Sequence, residues 1–404
     1  MVPVPFLVST SSPADIATVV LMKAVVCERT ELSVRDLPDP EPGPGQVVLE
    51  VVRAGICGSD LHARFHADEL AEVSSAIGMT DIMRTTDAVV MGHEFSGRVA
   101  SYGPGTRKRY AEGTPVVAFP MVRREGAMQM IGLSPRCTGA YAEQVLVEDA
   151  FLFEVDNGYS PELAALTEPM AVAHHAVRKS RIGKGETAVV VGCGPIGLAV
   201  ILMLKARGVR HVVASDYSAA RRALAERCGA DEVVDPAATS PWSTFEGHKR
   251  YRTDATPLLD YAHKAIGDLR KVPFLPWTRL VRAAELAGQS PQQGPVVFEC
   301  VGVPGVLDHV IAGAPLYTRV VVVGVCMEPD RITPVMAINK EISLQFVFAY
   351  DPAEYADTLR MLTSGAVDPS PLHTGTVGLG EVAQAFDDLG SAEHHAKVLV
   401  DPTA

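Results

Sequence analysis

The sequence lacks the paired cysteines that cross-link small secreted proteins through disulfide bonds. Its cysteine count is odd, and no two cysteines are separated by only two residues. A disulfide framework is therefore not expected, and a reducing, cytoplasmic location is favoured. The seven single cysteines are Cys27, Cys57, Cys137, Cys193, Cys228, Cys300 and Cys326.

The sequence also lacks an excess of positive charge and any long apolar run. Its formal charge is -12, which argues against nucleic acid or an anionic membrane as partner. No apolar run reaches the ~18 residues that suggest a transmembrane helix. Residues 1–21 contain neither Lys nor Arg, unlike a signal peptide. We interpret them as an extension, either a disordered tail or the product of an upstream start codon.

Residues 22–178 have the pattern of a β-rich domain. Strands are predicted at residues 22–26, 47–52, 95–100 and 116–119, with Gly-Pro turns between them. Residues 68–87 are predicted to be helical. The chain length of 404 residues suits two or three domains at ~150 residues each.

Residues 179–349 alternate between strand and helix patterns. This alternation predicts an α/β domain with a doubly wound parallel sheet. Residues 237–294 are more than a single crossover connection between two strands needs. We interpret them as an inserted surface loop with a helix at 278–287. A lid or a subunit contact is the alternative role for this insertion. Residues 350–404, with a helix at 353–362 and a strand at 396–400, are predicted to return to the first domain.

A glycine-rich turn predicts the cofactor site. The run from Gly192 through Cys193 and Gly194 to Pro195, Ile196 and Gly197 follows a predicted strand and opens a predicted helix. Glycines here permit a tight turn against a pyrophosphate, which the helix N-terminus attracts.

An acidic residue after the next strand bears on which dinucleotide binds. Asp216 occupies the position expected to accept from a ribose 2′-OH, which favours NAD over NADP. Arg221 and Arg222 leave NADP as the alternative, because an arginine could meet a 2′-phosphate.

A catalytic zinc site with three protein ligands and an open position is predicted by two short runs, residues 55–62 and 92–94. Cys57 and His93 are the natural ligands, and Glu168 is the third candidate, with Glu94 as an alternative or exchanging ligand. Asp60 suits the role of orienting a histidine ligand through its far nitrogen. Zinc beside a nicotinamide indicates redox chemistry between alcohols and carbonyls.

These motifs together resemble the zinc-dependent medium-chain dehydrogenase/reductase family, which includes alcohol dehydrogenases. The resemblance covers nearly the whole chain after Met22, and Glu168-Pro169 is similar to the polyol and threonine dehydrogenase branch. It implies a GroES-like catalytic domain at 22–178, a Rossmann domain at 179–349 and a homodimer or homotetramer.

The resemblance also implies roles for individual residues. Ser59 would relay the proton from the substrate alcohol, and His62 would pass it towards solvent. The pairs Val301-Gly302 and Gly324-Val325 would hold the nicotinamide ring, residues 119–121 would line the substrate cleft, and Lys397 is a loose match to a pyrophosphate contact.

One departure from the family pattern concerns a second, structural zinc. Residues 121–139 hold only Cys137, where many members carry four cysteines, so one zinc per chain is expected. This methionine-rich stretch is either a compact apolar lobe or a partner or substrate surface.

The expected function is hydride transfer between a primary alcohol, secondary alcohol or polyol and NAD. The alternatives are an enzyme acting on an amino-alcohol such as threonine, or on an aldehyde adduct. A non-catalytic nucleotide-binding protein is the remote alternative. The expected partner is a small alcohol or carbonyl substrate.

Overall fold

The computed structural model describes residues 20–247, 250–286, 293–391 and 395–404. Eighteen strands and twelve α-helices are assigned within these residues. The predicted extension falls almost wholly on residues 1–19, which lie outside the described residues.

The strands are β1 (Leu21–Glu28), β2 (Glu31–Pro38), β3 (Gln46–Gly55), β4 (Val89–Val90), β5 (Glu94–Tyr102), β6 (Pro115–Ala118), β7 (Met121–Arg124), β8 (Ala127–Met130), β9 (Gln144–Glu148), β10 (Leu152–Glu154), β11 (Thr187–Val191), β12 (His211–Ser215), β13 (Glu232–Val234), β14 (Val296–Glu299), β15 (Arg319–Val322), β16 (Ser343–Phe346), β17 (His373–Gly378) and β18 (Lys397–Asp401). The helices are α1 (Gly58–Phe65), α2 (Ala67–Ala76), α3 (Pro161–Ala164), α4 (Thr167–Ser180), α5 (Pro195–Ala206), α6 (Ala219–Arg227), α7 (Thr256–Arg270), α8 (Trp277–Leu286), α9 (Val306–Gly313), α10 (Pro334–Lys340), α11 (Pro352–Thr363) and α12 (Val382–Leu389).

The strands outside the dinucleotide region form mainly antiparallel sheets. One sheet has the order β2-β1-β4, and a larger one has the order β10-β6-β5-β3-β18-β17, with β9 also paired to β3. The last strand, β18, pairs with β3 at Leu399–Gly55 and Val400–Ala54. The C-terminal segment thus completes this sheet. In the same sheet, β3 ends at the candidate site and β5 begins there.

The predicted doubly wound sheet is present as six parallel strands in the order β13-β12-β11-β14-β15-β16. Its central strands are rich in β-branched residues that are buried on both faces, as parallel strands require. The strand order reverses between β11 and β14, and ligands of such sheets bind at the carboxyl ends of the strands there.

Three sequence predictions about local structure were wrong or incomplete. The helix predicted over residues 68–87 ends much earlier, because α2 stops at Ala76 and Gly78 adopts a left-handed conformation with φ +88°. Helix α4 was not predicted, although Glu168 lies in its first turn. Helix α7 was also missed within the stretch interpreted as an inserted loop.

The insertion is anchored at the amino ends of the parallel strands. The Thr187 N–H donates to the Tyr251 hydroxyl at 2.9 Å, and the Leu316 N–H donates to the Arg252 carbonyl at 2.8 Å. Gly294 packs so closely on Tyr317 that a Cβ would lie 2.3 Å from its backbone. The glycine-rich turn lies at the opposite, carboxyl edge, so this anchoring does not favour a lid over the cofactor.

The methionine-rich stretch folds around the hairpin of β7 and β8. Val122, Ile131 and Leu133 are buried in the same core cluster as the strands of the large antiparallel sheet. This packing supports the compact apolar lobe over an exposed partner surface. Among the described residues, none of the helices is long and apolar enough to cross a membrane.

Candidate active site

Cys57 and His93 are brought together by the ends of two paired strands. Cys57 follows β3 and precedes α1, and His93 precedes β5, which pairs with β3 along its length. Ligand atoms of Cys57, His93 and Glu94 all lie within 4.8 Å of one another. This is the one group of three or more potential metal ligands found in the described part of the chain.

Two glycines make the space for this cluster. A Cβ on Gly55 would lie 2.1 Å from the Glu94 carboxylate, so only glycine leaves room for that side chain. Gly92 has φ +96°, which glycine adopts readily, and its missing Cβ admits the Tyr141 ring.

Asp60 orients the predicted ligands. Its carboxylate accepts from the Cys57 N–H at 3.0 Å and from the Tyr141 hydroxyl at 2.5 Å. Its other oxygen faces His93 Nδ1 at 3.3 Å, and neither of these two buried atoms has another hydrogen-bond partner. Nε2 of His93 is thereby left for a metal, which is the usual arrangement of a histidine ligand and its supporting carboxylate.

The electrostatics of the pair suit a bound cation. Burial alone would raise the pKa of Asp60, but His93, Tyr141 and the Cys57 N–H outweigh it and lower that pKa. Burial, followed by the charge of Glu94, raises the pKa of the Cys57 thiol. A cation beside Cys57 would offset both effects and favour the thiolate. A soft sulfur, an imidazole and carboxylates are a donor set that fits zinc.

The two predicted carboxylate ligands differ in their surroundings. Both oxygens of Glu94 accept from Lys397 Nζ, at 2.7 and 2.8 Å, so this carboxylate is already charge-balanced. Glu168 lies outside the 4.8 Å group but is buried nearby, and its Oε1 accepts from the Tyr350 hydroxyl at 2.9 Å. Burial raises the pKa of Glu168 to about 7, against the opposing effect of His93.

The prediction that Lys397 contacts the pyrophosphate, which rested on a loose match, was wrong. Lys397 is 1% exposed, and its ammonium is fully engaged by Glu94 and by the Ile56 carbonyl at 2.9 Å. Burial alone would lower the pKa of Lys397, but Glu94 outweighs it and raises that pKa, so the ion pair is retained.

The predicted proton relay lies on α1, beside His93. Ser59 Oγ is 3.4 Å from His93 Nε2. His62 is one helical turn further on, on the same face as Ser59, and is half-buried. Burial and the neighbouring His66 lower the pKa of His62, so it is neutral at pH 7 and can accept a proton.

The glycine-rich turn has the tight geometry that a pyrophosphate needs. Gly192 has φ +90°, and a Cβ on Gly197 would lie 1.9 Å from the Gly192 carbonyl oxygen. Pro195 occupies the first turn of α5, whose remaining free N–H groups include those of Ile196 and Gly197. A Cβ added to Gly194 would lie 4.0 Å from the Arg221 guanidinium, so Arg221 lies beside this turn.

Asp216 is fixed at the end of β12. Its oxygens accept from the Cys193 N–H at 2.7 Å and the Ser218 N–H at 2.8 Å. Of the two neighbouring arginines, Arg222 donates to the Asp216 and Tyr217 carbonyls. Arg221 instead keeps a buried Nε that has no hydrogen-bond partner among the described residues.

The two predicted nicotinamide loops touch each other and the glycine-rich turn. A Cβ on Gly324 would lie 2.4 Å from the Gly302 N, and one on Gly192 would lie 2.6 Å from the Val301 side chain. Val325 packs against Gly302 in the same way. The structure therefore brings these loops to one edge of the sheet with the cofactor turn.

Sequence reasoning missed three residues that support the site and assigned a fourth, Lys397, to another role. Glu299 accepts from the Val301 and Gly302 N–H groups at 2.7 and 2.9 Å and so shapes the first nicotinamide loop. Tyr141 donates to Asp60, and Tyr350 donates to Glu168. Of these residues, only Glu299 could have been found from the sequence, because it is an acidic residue at the end of an apolar strand.

Two family profiles match long segments of the chain. Residues 195–364 match the family profile described as "Zinc-binding dehydrogenase", and residues 43–157 match "Alcohol dehydrogenase GroES-like domain". The chain is 30% identical over 382 residues to the (R,R)-butanediol dehydrogenase of Bacillus subtilis (strain 168), covering 92% of this chain and 97% of that protein. It is 28% identical over 368 residues to the sorbitol dehydrogenase of Bos taurus, covering 88% and 89%.

A solved structure is similar over nearly its whole length. The putative zinc-binding dehydrogenase from Sinorhizobium meliloti 1021, bound to NADP, is 27% identical with a TM-score of 0.72. The match covers 95% of this chain and 100% of that one.

We predict that Lys397→Met destabilises the metal-free protein by about 3–5 kcal/mol, because Glu94 would be left buried and unpaired. Lys23→Met is the control, since its pair with Asp36 is well exposed and such pairs contribute ~0–1 kcal/mol. Urea unfolding of the chelator-treated protein measures both. Equal losses in the two variants would contradict a stabilising role for the buried pair.

Proposed function

The chain belongs to the zinc-dependent medium-chain dehydrogenase/reductase family, and we propose here which of its residues perform the reaction. It is an alcohol or polyol dehydrogenase that uses zinc and NAD or NADP. The observation that carries the residue assignment is the arrangement of Cys57 and His93 around Asp60. Cys57, His93 and a carboxylate from Glu94 or Glu168 would hold the zinc.

When bound, zinc would supply Lewis-acid chemistry for the substrate oxygen, and the nicotinamide would supply the hydride acceptor or donor for the substrate carbon. Asp60 keeps the His93 ring in the orientation and tautomer that a ligand needs. Ser59 takes the proton released by the alcohol hydroxyl and donates its own to His62. His62, neutral and half-buried, passes that proton to solvent, and carbonyl reduction uses the same groups in reverse.

We further propose that the substrate is a polyol or a vicinal diol. The butanediol and sorbitol dehydrogenases above both act on such compounds, according to their names. Phe119 forms an aromatic wall with Phe151 and Tyr350, at ring-centroid distances of 5.3 and 5.4 Å, and Tyr350 contacts Glu168. In the proposed cleft these rings would form an apolar side, and the Tyr350 hydroxyl and the Glu168 carboxylate would be the polar groups nearest to a second substrate hydroxyl.

A panel of 2,3-butanediol, sorbitol, ethanol and threonine with each nicotinamide tests this proposal. We expect kcat/KM to be highest for the diol or the polyol. Activity confined to threonine would favour the amino-alcohol alternative and contradict the proposed substrate.

Cys57→Ser should lower the zinc content and abolish turnover, while NAD binding persists, because the glycine-rich turn is separate from the metal ligands. Cys137→Ser is the matched control, since that thiol lies in the hairpin lobe and donates to the Met130 carbonyl. Metal analysis, initial rates and NAD titration measure the three quantities. Full zinc and full activity in Cys57→Ser would remove Cys57 from the metal site.

We propose NAD as the preferred cofactor, because the Asp216 carboxylate can accept from the ribose 2′-OH and repels a 2′-phosphate. Asp216→Ala should raise the KM for NAD at least ~10-fold, the loss of one charge-assisted bond, and raise that for NADP much less. Asp231→Ala is the control, since Asp231 bonds the Val212 N–H at the opposite end of β12. Equal effects on both cofactors would leave Arg221 as the residue that decides the preference.

We also propose a homo-oligomer formed through β16, consistent with the predicted dimer or tetramer. This strand is at the edge of the parallel sheet, and Phe346 and Phe348 are 70% and 76% exposed there. Exposed apolar edge strands commonly pair with another chain.

Phe346→Glu should lower the mass measured by light scattering to the 43.0 kDa of one chain. Ile77→Glu, at a site that is 72% exposed outside this strand, should leave the mass of the oligomer unchanged. A wild-type mass of one chain would contradict the proposed assembly.

We propose a reducing compartment, the cytoplasm, because all seven cysteines are free and Cys57 must stay reduced to bind a metal.

A further inference from the structure

The insertion carries charge of the opposite sign to the rest of the chain. Between Asp268 and Glu285 the sequence has four basic residues and no acidic one, in a chain of net charge -12. The basic residues are Arg270, Lys271, Arg279 and Arg282. The nearest acid, Asp268, pairs with Lys271 at 2.8 Å, but both side chains are well exposed, so the pair is weak.

Apolar residues lie among these cations, in the turn between α7 and α8 and in the first turns of α8. Phe274 is fully exposed, Val272 is 52% exposed, and Leu280 and Val281 are also exposed. We call residues 270–282 the basic tip. None of the described side chains of α7 or α8 is fully buried, so the described part of this chain covers the apolar residues of both helices only in part.

Helix α7 separates the tip, along the chain, from the anchored part of the insertion. The segment leading into α7 is anchored at the amino ends of the parallel strands, and the active site is at their carboxyl ends. Helix α7 has 15 residues and is therefore about 22 Å long. Charges farther apart than the Debye length, ~10 Å at 0.1 M salt, are largely screened from one another, so acidic groups beyond that distance do not oppose the attraction of the tip to an anionic surface.

We propose that the basic tip docks the enzyme on an anionic lipid surface. Phe274 and Val272 would enter the headgroup boundary, where aromatic and aliphatic side chains are stable. Arg270, Lys271 and Arg279 would extend their charged ends to the lipid phosphates while their stems cover apolar surface. The net charge of -12 argued against such a partner. That value is a sum over the whole chain, however, and it does not describe the local positive charge of the basic tip.

The chain carries its own reporter for this docking. It has two tryptophans, and Trp277 lies in the tip. Trp242 is partly buried and packs against the core of the parallel sheet, where its indole nitrogen would lie 2.1 Å from a Cβ on Gly313. A change in fluorescence on adding vesicles therefore reports on Trp277.

The test uses the full-length, zinc-loaded enzyme with two kinds of vesicle, one of phosphatidylcholine and one of equal parts phosphatidylcholine and phosphatidylglycerol. We expect cosedimentation and a blue shift of tryptophan emission with the second kind only. Raising the salt to about 1 M, where the Debye length is ~3 Å, should release the protein.

Arg270→Glu/Lys271→Glu/Arg279→Glu should weaken vesicle binding at least ~100-fold, at ~5-fold for each cation lost near an anionic surface. The matched control is Arg107→Glu/Lys108→Glu/Arg109→Glu, which makes the same charge change on another exposed turn. We expect the control to bind vesicles as the wild type does. Both variants should keep wild-type dehydrogenase activity in solution, which also shows that they fold.

Three outcomes would overturn the proposal. The first is equal binding to both kinds of vesicle, and the second is an equal loss of binding in the control. The third is a wild type that does not bind vesicles but whose mass, measured by light scattering, falls in the tip variant. That last result would assign the tip to a contact between copies of this chain.

Discussion

A buried carboxylate needs a cation in contact with it, and Glu94 meets this need through Lys397, which is 303 positions further along the chain. Glu94 begins β5 and Lys397 begins β18, so the pair requires the C-terminal strand to lie in the same sheet as the strands that present Cys57 and His93. Breaking a buried pair leaves an uncompensated charge, which costs more than the pair itself contributes. The position of β18 and the position of the proposed metal ligands are therefore set together.

The acidic groups around this pair are held in fixed orientations by neutral donors. Tyr141 donates to Asp60, and Tyr350 donates to Glu168, across more than 80 positions of sequence in each case. Such bonds fix the carboxylates in position without neutralising them. Burial alone would lower the pKa of His93, but Asp60 outweighs burial and raises that pKa, so the imidazole itself tends to carry a positive charge beside this carboxylate. A divalent cation held by Cys57 and His93 would supply positive charge at the same place.

Sequence reasoning succeeded where a short run carries both the residue and its local geometry. The glycine-rich turn, the strand before it and Asp216 after the next strand are local signals, and the comparisons confirm the predicted family, fold class and enzyme class. The roles of the individual site residues stay proposals. Partners from distant segments could not be predicted, because nothing in the sequence near Glu94 or Glu168 indicates that Lys397 or Tyr350 packs against it. Helix α7 was missed because its charges and Pro257, together with the prolines that follow the helix, resemble the composition of a loop.

The central claim is that Cys57 and His93 bind one zinc ion with a carboxylate nearby and no second zinc. X-ray absorption at the zinc edge, combined with metal analysis of the purified chain, tests this claim directly. We predict one zinc per chain with one sulfur ligand at ~2.3 Å and nitrogen or oxygen ligands at ~2.0–2.2 Å. A zinc surrounded by several sulfur atoms, or by none, would contradict the claim.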